Sequence, residues 1–264
     1  MSTLLRGAPV AERLTLDLSR RSAALRHRGV IPTLAILRVG SSPGDLAYEK
    51  SAAARCARCG IEVRRLFWDS AAPLADAIRA VNADPSIHGC LLLRPLADRA
   101  AEAAAGQLLL PDKDVDGMTP GSLAGLLTGQ SGFAPCTAQA CLELLDYYDV
   151  PLVGKPAAMM LMGKNATVTV CHTGTRDIPA LCREADVLIA AAGRPGLITA
   201  DCLRPGQTVL DVGVHPGPDG TLCGDVAAEA AALDVALTPV PGGVGSVTSA
   251  VLCKHTVQAA EKTL

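Results

Sequence analysis

Apolar runs alternate with amphipathic stretches along the first part of the chain. Three short runs bounded by turn residues have the length and composition of buried strands. The stretches between them carry apolar residues at helical spacing, and one opens with cap-like residues and stops at Gly60. The predicted elements are helices over 10–28, 41–60 and 73–84 and strands over 33–39, 61–67 and 89–94. A βαβαβ series implies parallel pairing and right-handed crossovers, so this half is predicted to be one α/β layer.

The second half repeats this alternation after a loop. Residues 109–120, LLPDKDVDGMTP, contain two prolines, a glycine and three aspartates and must form a loop. A strongly periodic helix is predicted over 136–150, where it links the two halves. Strands are predicted over 166–172, 185–193 and 207–214, with short helices between them.

Glycines follow the predicted strands of the second half. Gly193, Gly196 and Gly213 lie at strand ends, where the missing side chain lets a ligand approach the backbone closely. The loop 241–245 leads into a helix N-terminus, whose free N–H groups can hold an anion. A single glycine of this kind is an ordinary turn, but together they favour a nucleotide-binding crevice.

Composition narrows the class of protein. The chain has 264 residues, of which 49% are hydrophobic and only six are aromatic, which suits α/β layers better than a β-sandwich. The net charge of −2 gives no sign of a nucleic-acid partner. We expect no membrane partner, because no apolar run is long enough to span a bilayer. The first residues lack the apolar region of a signal peptide, so a cytoplasmic protein is expected.

The ten cysteines are interpreted as small buried apolar residues rather than as disulfides or ligands. Cys56 and Cys59 have the CxxC spacing, but no second pair or histidine cluster accompanies them. No metal site is therefore predicted. The cysteines that lie in apolar stretches or on predicted helices include Cys90, Cys141, Cys171 and Cys182.

Several segments, in this order, resemble the methylenetetrahydrofolate dehydrogenase/cyclohydrolase (FolD) family. They are PDKDVDG, PCT, NATVTVCH, ADVLIAAAGRPG, VLDVGV and TPVPGGVGSVT. The resemblance implies two α/β domains around a cleft: a folate domain over 1–135, a Rossmann-like NADP domain over 136–245, and a last helix over 246–264 that packs back on the first domain. It also implies a homodimer through the second domain.

The resemblance implies NADP-dependent oxidation of 5,10-methylenetetrahydrofolate, followed by hydrolysis of the methenyl product to 10-formyltetrahydrofolate. In the family, a tyrosine and a lysine four residues later serve the reacting carbon, and an aspartate of KDVDG holds the amino edge of the pterin. Tyr48 and Asp116 match the tyrosine and the aspartate, and both are expected to act in catalysis. The expected substrate-binding residues are Tyr48, Leu93, Pro95, Asp116, Gly242 and Gly243. The expected cofactor-binding residues are His172, Thr173, Gly193, Val212, Gly213 and Thr248.

The chain departs from the family at the acid/base pair. Ala52 stands where the family has the lysine, and Leu93 stands where the pattern GILVQLPLP has its glutamine. Lys50 is a poor replacement, because two residues along a helix is roughly 200° of rotation. Losing both partners together is physically coherent, since a buried lysine or glutamine left unpaired is costly. Asp45 replaces a usual serine nearby.

A second departure follows Gly154, where about fourteen residues of the family pattern are missing. The loss includes the glycine-rich turn for the NADP phosphates and the arginine for the 2′-phosphate. The remaining KPAAMMLMGK is interpreted as the surviving helix, with a surviving strand as the alternative. Weak or lost NADP binding is therefore expected.

The residues bear on three possible functions. A working FolD-type enzyme accounts for the length of the match. A catalytically degenerate folate-binding paralogue accounts for Ala52, Leu93 and the missing phosphate loop. An unrelated nucleotide-binding α/β protein does not account for the shared motifs.

Overall fold

The computed structural model describes residues 2–130, 132–151, 166–217 and 220–264. Within these residues the chain forms two compact units. One comprises Glu12–Cys136 and Ser249–Leu264, and the other comprises Met1–Ala11 and Thr137–Thr248. The helices are α1 (Gly7–His27), α2 (Pro43–Arg58), α3 (Leu74–Ala83), α4 (Arg99–Leu108), α5 (Pro120–Thr128), α6 (Cys136–Tyr147), α7 (Ile178–Glu184) and α8 (Val244–Glu261). The strands are β1 (Thr3–Leu4), β2 (Thr33–Val39), β3 (Glu62–Trp68), β4 (Gly89–Leu92), β5 (Val187–Ala190), β6 (Thr208–Asp211), β7 (His215–Pro216), β8 (Leu222–Cys223) and β9 (Ala236–Leu237).

The unit built on residues 12–136 contains a parallel sheet of order β3-β2-β4. β2 is central, and Leu34 pairs with Val63 on one side and Gly89 on the other. One face of this sheet packs against α3 and α4 through buried residues that include Leu37, Ile78 and Leu92. The predicted parallel α/β layer is confirmed. The prediction succeeded because each apolar run is long enough for a strand and too short for a helix.

Helix α2 begins and ends where its sequence signals predict. The Ser42 side chain accepts a hydrogen bond from the Asp45 backbone N–H, and Pro43 stands in the first turn. At the other end Gly60 has φ of 72°, and the Ile61 N–H donates to the Cys56 carbonyl. This glycine-terminated end fixes where α2 stops and therefore which of its residues face the sheet.

The other unit contains a four-stranded parallel sheet of order β1-β9-β6-β5. Residues 166–172, predicted as a strand, form no strand, and Val170 is 72% exposed. In a doubly wound sheet the order 3-2-1-4-5-6 places the first strand of such a domain between its second and fourth. Among the described residues no strand lies beyond β5, so 166–172 has no described strand there with which to form a ladder of hydrogen bonds. The strand prediction was wrong because an apolar pattern does not show whether a second strand is present for the backbone to pair with.

The cysteines are free thiols, and most are buried as predicted. Cys171 is an exception, because it lies in the segment 166–172, which forms no strand, and is exposed. Three buried thiols meet where α2 faces α8, with Cys56 Sγ 3.7 Å from Cys253 Sγ and Cys59 next to them. None of the helices in the described part of the chain is long and apolar enough to cross a membrane.

Candidate active site

A cavity opens at the carboxyl end of β4, in the unit built on residues 12–136. It is lined by Asp45, Tyr48, Leu91, Leu92, Leu93, Arg94 and Asp116. Four of these residues come from β4 and the two positions after it, two from α2, and one from the loop before α5. Loops at the carboxyl ends of parallel strands are the usual place for ligands in such folds, so the cavity is the candidate active site.

Tyr48 lies on the first half of α2 with its side chain in the cavity. Burial, and then the negative charge of Asp116, raise the pKa of the Tyr48 hydroxyl above its ordinary value of 10. The hydroxyl therefore stays protonated at neutral pH and can donate a hydrogen bond to a bound molecule.

An ion pair next to Tyr48 holds α2 against the sheet. The Glu49 carboxylate accepts a hydrogen bond from Arg38 Nε on β2 at 2.8 Å and lies 3.3 Å from Arg65 Nε on β3. The side chains of Arg38 and Glu49 are only 11% and 14% exposed. Tyr48 is thus attached to a helix whose position is fixed by charge as well as by packing.

We expect Glu49→Ala to destabilise the fold by about 3 kcal/mol, because it leaves the nearly buried Arg38 guanidinium without its counter-charge. Urea denaturation would measure this loss. Asp76→Ala is the matched control, because Asp76 pairs with Arg79 through side chains that are 87% and 61% exposed, so it should cost less than about 1 kcal/mol. Equal effects of the two substitutions would contradict the assignment of Glu49 as the anchor of α2.

Asp116 is presented by a loop that is fixed from several directions. Lys113 Nζ donates to the carbonyls of Val81 and Asp84 at the end of α3. The Asp114 carboxylate accepts hydrogen bonds from the backbone N–H groups of Met118 and Thr119 at 3.0 and 2.7 Å. These contacts explain the KDVDG motif in physical terms: its lysine and first aspartate hold the loop, and its second aspartate is left to face the cavity.

Gly117 completes this loop. It has φ of 68°, and a Cβ on it would lie 2.5 Å from the Ala134 carbonyl carbon and the Pro135 nitrogen. Only glycine fits both the positive φ and this close approach of the backbone. The PCT segment, which begins at Pro135, therefore supports the aspartate loop by direct backbone contact.

The Asp116 carboxyl changes its protonation state close to neutral pH. The surroundings together raise the pKa of the Asp116 carboxyl from 3.8 to about 6: burial is the largest cause and Asp114 adds to it, while Arg94 and the nearby Cys136 thiol lower the pKa. Asp116 can therefore bind a donor as a carboxylate at pH 7 and yet hold a proton at slightly acidic pH.

Arg94 is a cavity residue that the sequence reasoning missed. Its Nη2 lies 3.9 Å from Asp116 Oδ2, and its Nη1 lies 3.8 Å from Glu102 Oε1 on α4. A signal was present in the sequence, since the family pattern GILVQLPLP has an apolar residue directly after its glutamine and this chain has Arg94 there.

The other expected substrate-binding residues lie outside this cavity lining. Pro95 is exposed and does not line it. Gly242 and Gly243 belong to the other unit, where the Gly242 carbonyl accepts a hydrogen bond from the Gly7 N–H. A Cβ on Gly243 would lie 2.5 Å from the Pro239 carbonyl oxygen, so the PGGVG loop is closely packed on its own unit.

In that second unit, Gly193 and the Val212-Gly213 pair follow neighbouring parallel strands. β5 ends at Ala190, which pairs with Asp211 at the end of β6. The Asp225 carboxylate joins the two strand ends: it accepts hydrogen bonds from the N–H groups of residues 192–194, and a Cβ on Gly213 would lie 2.4 Å from it. Three of the expected cofactor residues thus meet at one edge of the sheet.

The Asp225 carboxylate is completely buried and also bonded to His215 Nε2 at 2.7 Å. Although burial disfavours its charge, the bonds from His215 and the three backbone N–H groups lower the pKa of the Asp225 carboxyl below its ordinary value. The N–H groups of 192–194 therefore bind an internal anion, while no atom of the other described residues, apart from the two chain neighbours of Gly193, lies within 4 Å of the Cβ position of Gly193.

Among the described residues, the hydrogen bonds found at His172 and Thr248 join near neighbours in the sequence. His172 ends the segment 166–172 and Thr173 follows it; the Thr175 N–H donates to the His172 carbonyl at 2.8 Å. Thr248 lies in α8, and its hydroxyl donates to the Gly245 carbonyl.

Comparison with protein families covers both halves of the chain. Residues 5–116 match the catalytic domain of tetrahydrofolate dehydrogenase/cyclohydrolase, and residues 135–264 match its NAD(P)-binding domain. The chain belongs to this family. The first matched domain holds the Tyr48–Asp116 cavity, and the second holds the glycine edge around Asp225.

Individual relatives align with this chain over almost its full length. The bifunctional protein FolD of Carboxydothermus hydrogenoformans is 42% identical over 281 positions, which cover 99% of this chain and 98% of the relative. The crystal structure of FolD from Campylobacter jejuni superposes with a TM-score of 0.93 at 35% identity and covers all of both chains. The Trypanosoma brucei FolD, solved with NADP and an inhibitor, has a TM-score of 0.90 at 29% identity over 99% of this chain and 98% of that one.

The two positions at which the resemblance places the family lysine and glutamine hold buried apolar side chains. Ala52 is 1% exposed and Leu93 is 5% exposed, which agrees with the expectation that the two can pack where a polar pair would sit. Lys50 is exposed on α2 and does not line the cavity. The expected rotation of Lys50 away from the Tyr48 side of the helix is consistent with this exposure.

The chain is shorter than its relative within the aligned region. The alignment to the C. hydrogenoformans protein spans 281 positions, more than the 264 residues of this chain, so that protein has residues without a counterpart here. Where they are missing stays a prediction, since the segment 155–164, interpreted as a surviving helix, lies outside the described residues.

Proposed function

We propose that the protein is a FolD-type enzyme that oxidises 5,10-methylenetetrahydrofolate with NADP and hydrolyses the methenyl product to 10-formyltetrahydrofolate. One observation carries the proposal: Tyr48 and Asp116, the two family site residues retained here, face the same cavity of the matched catalytic domain. Their positions on α2 and on the KDVDG loop are each held by separate contacts, as a preorganised site requires.

In this proposal Asp116 and Tyr48 have different tasks. The Asp116 carboxylate accepts hydrogen bonds from the amino edge of the pterin, and these bonds are strong because the acceptor is charged. The Tyr48 hydroxyl, kept protonated by burial and by Asp116, donates a hydrogen bond near the reacting carbon and orients it. The apolar Leu91, Leu92 and Leu93 supply one wall against a flat ring.

The residues around Asp225 fit part of a dinucleotide. Gly193, Val212 and Gly213 lie at the carboxyl edge of β5 and β6, and the open space at Gly193 admits a ring close to the backbone. NADP, when bound, accepts the hydride from the reduced folate. The N–H groups of 192–194 bind Asp225 and therefore do not serve a phosphate. We propose that NADP binds more weakly than in relatives with the full glycine-rich turn, because the family resemblance places that turn in the segment missing after Gly154.

Hydrolysis is proposed as the weaker activity. Adding water to the methenyl carbon requires proton transfers, and Ala52 offers no amine for them. A homodimer through the second domain and a cytoplasmic location are further proposals, both resting on family membership.

A folate-binding paralogue without catalysis is the second candidate, and it rests on the identity of Ala52 and Leu93. The relatives named above do not favour it, because each is a bifunctional FolD protein by name or a FolD structure.

The deciding experiment is turnover by the purified full-length protein, followed by absorbance of the methenyl product. With NADP we expect formation of methenyltetrahydrofolate well above the uncatalysed rate. In a separate hydrolysis assay we expect the enzyme to hydrolyse added methenyltetrahydrofolate more slowly than it carries out the oxidation. NAD in place of NADP tests cofactor choice, and calorimetric binding of a reduced folate runs in parallel. Binding without turnover with either cofactor would establish the second candidate instead.

A further inference from the structure

Arg94 supplies a positive charge to a cavity that otherwise has acidic, hydroxyl and apolar side chains. The remaining lining residues are Asp45, Tyr48, Leu91, Leu92, Leu93 and Asp116. Leu93 continues the pairing of β4, because its N–H donates to the Leu37 carbonyl at 2.9 Å. Arg94 is therefore the first residue beyond the strand, and its side chain is 37% exposed at the cavity.

The Arg94 guanidinium lies near two carboxylates, those of Glu102 and Asp116. Glu102 is itself fixed, since its Oε2 accepts a hydrogen bond from the Leu96 N–H at 2.7 Å, and its Oε1 lies 3.8 Å from Arg94 Nη1. The second guanidinium nitrogen lies 3.9 Å from Asp116 Oδ2. Arg94 is thus within ion-pair distance of both carboxylates, which are largely shielded from water, at 18% exposure for Glu102 and 24% for Asp116.

Arginine cannot replace the lost family lysine as a proton carrier, because its guanidinium stays charged at all physiological pH values. What it can do is stabilise a neighbouring negative charge. We propose that Arg94 is a positioning residue that keeps Asp116 in place as a carboxylate, ready to bind the amino edge of the pterin. This inference rests on the proposed function, in which Asp116 is the pterin contact.

The electrostatic surroundings of Asp116 make this support necessary. Burial raises the pKa of the Asp116 carboxyl to about 6, with Arg94 opposing the rise. The other groups that face Asp116 are Asp114 on its own loop, Cys136 at the start of α6, and Tyr48 on α2. Among these Arg94 is the positively charged one, so removing it should move the carboxyl toward its neutral form.

The test is the pH dependence of 5-formyltetrahydrofolate binding, measured by calorimetry from pH 5.5 to 9 on the full-length protein. The wild type should lose affinity with a midpoint near pH 6, where Asp116 takes up its proton. In Arg94→Met the midpoint should move upward by about one pH unit, giving roughly fivefold weaker binding at pH 6 and near-wild-type binding at pH 8.5. Arg94→Lys keeps the charge and should keep a midpoint close to that of the wild type.

Arg99→Met is the matched control, because Arg99 contacts the same Glu102 through a side chain that is 73% exposed. It should leave both affinity and midpoint unchanged. Weaker binding of Arg94→Met by the same factor at every pH would indicate a merely structural role and overturn the inference, while leaving the proposed function intact. Absence of binding to the wild type at every pH would overturn the proposed function itself, and the inference with it.

Discussion

Asp116→Asn is expected to lower kcat/KM for methylenetetrahydrofolate by about 10²-fold while stabilising the fold. The loss of activity follows from chemistry, since a carboxylate accepts two hydrogen bonds from an amino edge, whereas an amide presents one acceptor and one donor group. The donor of the amide would face the donors of the pterin and leave them unpaired, which costs about 3 kcal/mol. Steady-state kinetics at pH 8 would measure this loss.

The gain in stability follows from the raised pKa of Asp116. The native carboxyl binds its proton more tightly than the unfolded one, with a pKa of about 6 against 3.8. Stability of the wild type therefore falls as the pH rises from about 4 to 6, and the neutral asparagine does not undergo this fall. At pH 8 we expect the variant to be about 2 kcal/mol more stable in urea denaturation.

Asp112→Asn is the control for this pair of effects. Asp112 lies on the same loop, is 65% exposed and lies 3.7 Å from Lys262, so its substitution should change neither activity nor stability measurably. An Asp116→Asn variant with wild-type kinetics would show that the pterin is bound elsewhere. An Asp116→Asn variant that is less stable than the wild type would show that the carboxylate stabilises the fold, instead of lowering its stability for the sake of substrate binding.

Ala52→Lys is expected to destabilise the protein by about 3–5 kcal/mol, because it places an ammonium group at a position that is 1% exposed. Leu93→Gln alone should cost about 1–3 kcal/mol for an unpaired buried amide. In the double variant each group gains the other as a partner, as the family pattern implies. The double variant should therefore be more stable than the sum of the single effects by at least about 1 kcal/mol.

The double variant should also hydrolyse methenyltetrahydrofolate about 10²-fold faster than the wild type, because it restores a positioned proton carrier beside Tyr48. Ala54→Lys, at an exposed position of the same helix, is the control and should be close to neutral in stability and activity. Strictly additive destabilisation without faster hydrolysis would mean that positions 52 and 93 do not form one site in this chain.

Local physical chemistry was enough to predict the first α/β layer. Strands β2, β3 and β4 lie within one or two residues of their predicted bounds, because short apolar runs between helical patterns leave few alternatives. The ends of α2 were readable from Ser42, Pro43 and Gly60, since caps act through neighbours in sequence. Motif spacing placed Tyr48 on this helix, and in the structure Tyr48 is one of the residues that line the cavity.

The backbone hydrogen-bond partners of a segment could not be predicted from the sequence in the same way. Residues 166–172 have the composition of a strand, yet they form none, because a strand exists only when a second backbone meets its N–H and carbonyl groups. For the same reason the sequence did not indicate that the N–H groups of 192–194 bind Asp225, which lies more than thirty positions further along the chain.

The sequence by itself determined the order of elements, the apolar character of positions 52 and 93, and the retention of Tyr48 and Asp116, because these depend on residue identity and local spacing. Only the tertiary structure decided the ionisation of Asp116, since its burial, the charge of Arg94 and the contact with the Cys136 thiol involve separate parts of the chain. It also decided the place of Arg94, because the cavity forms where β4, α2 and the KDVDG loop converge. Charge interactions of this kind depend on distance in space, and that distance is fixed only once the chain has folded.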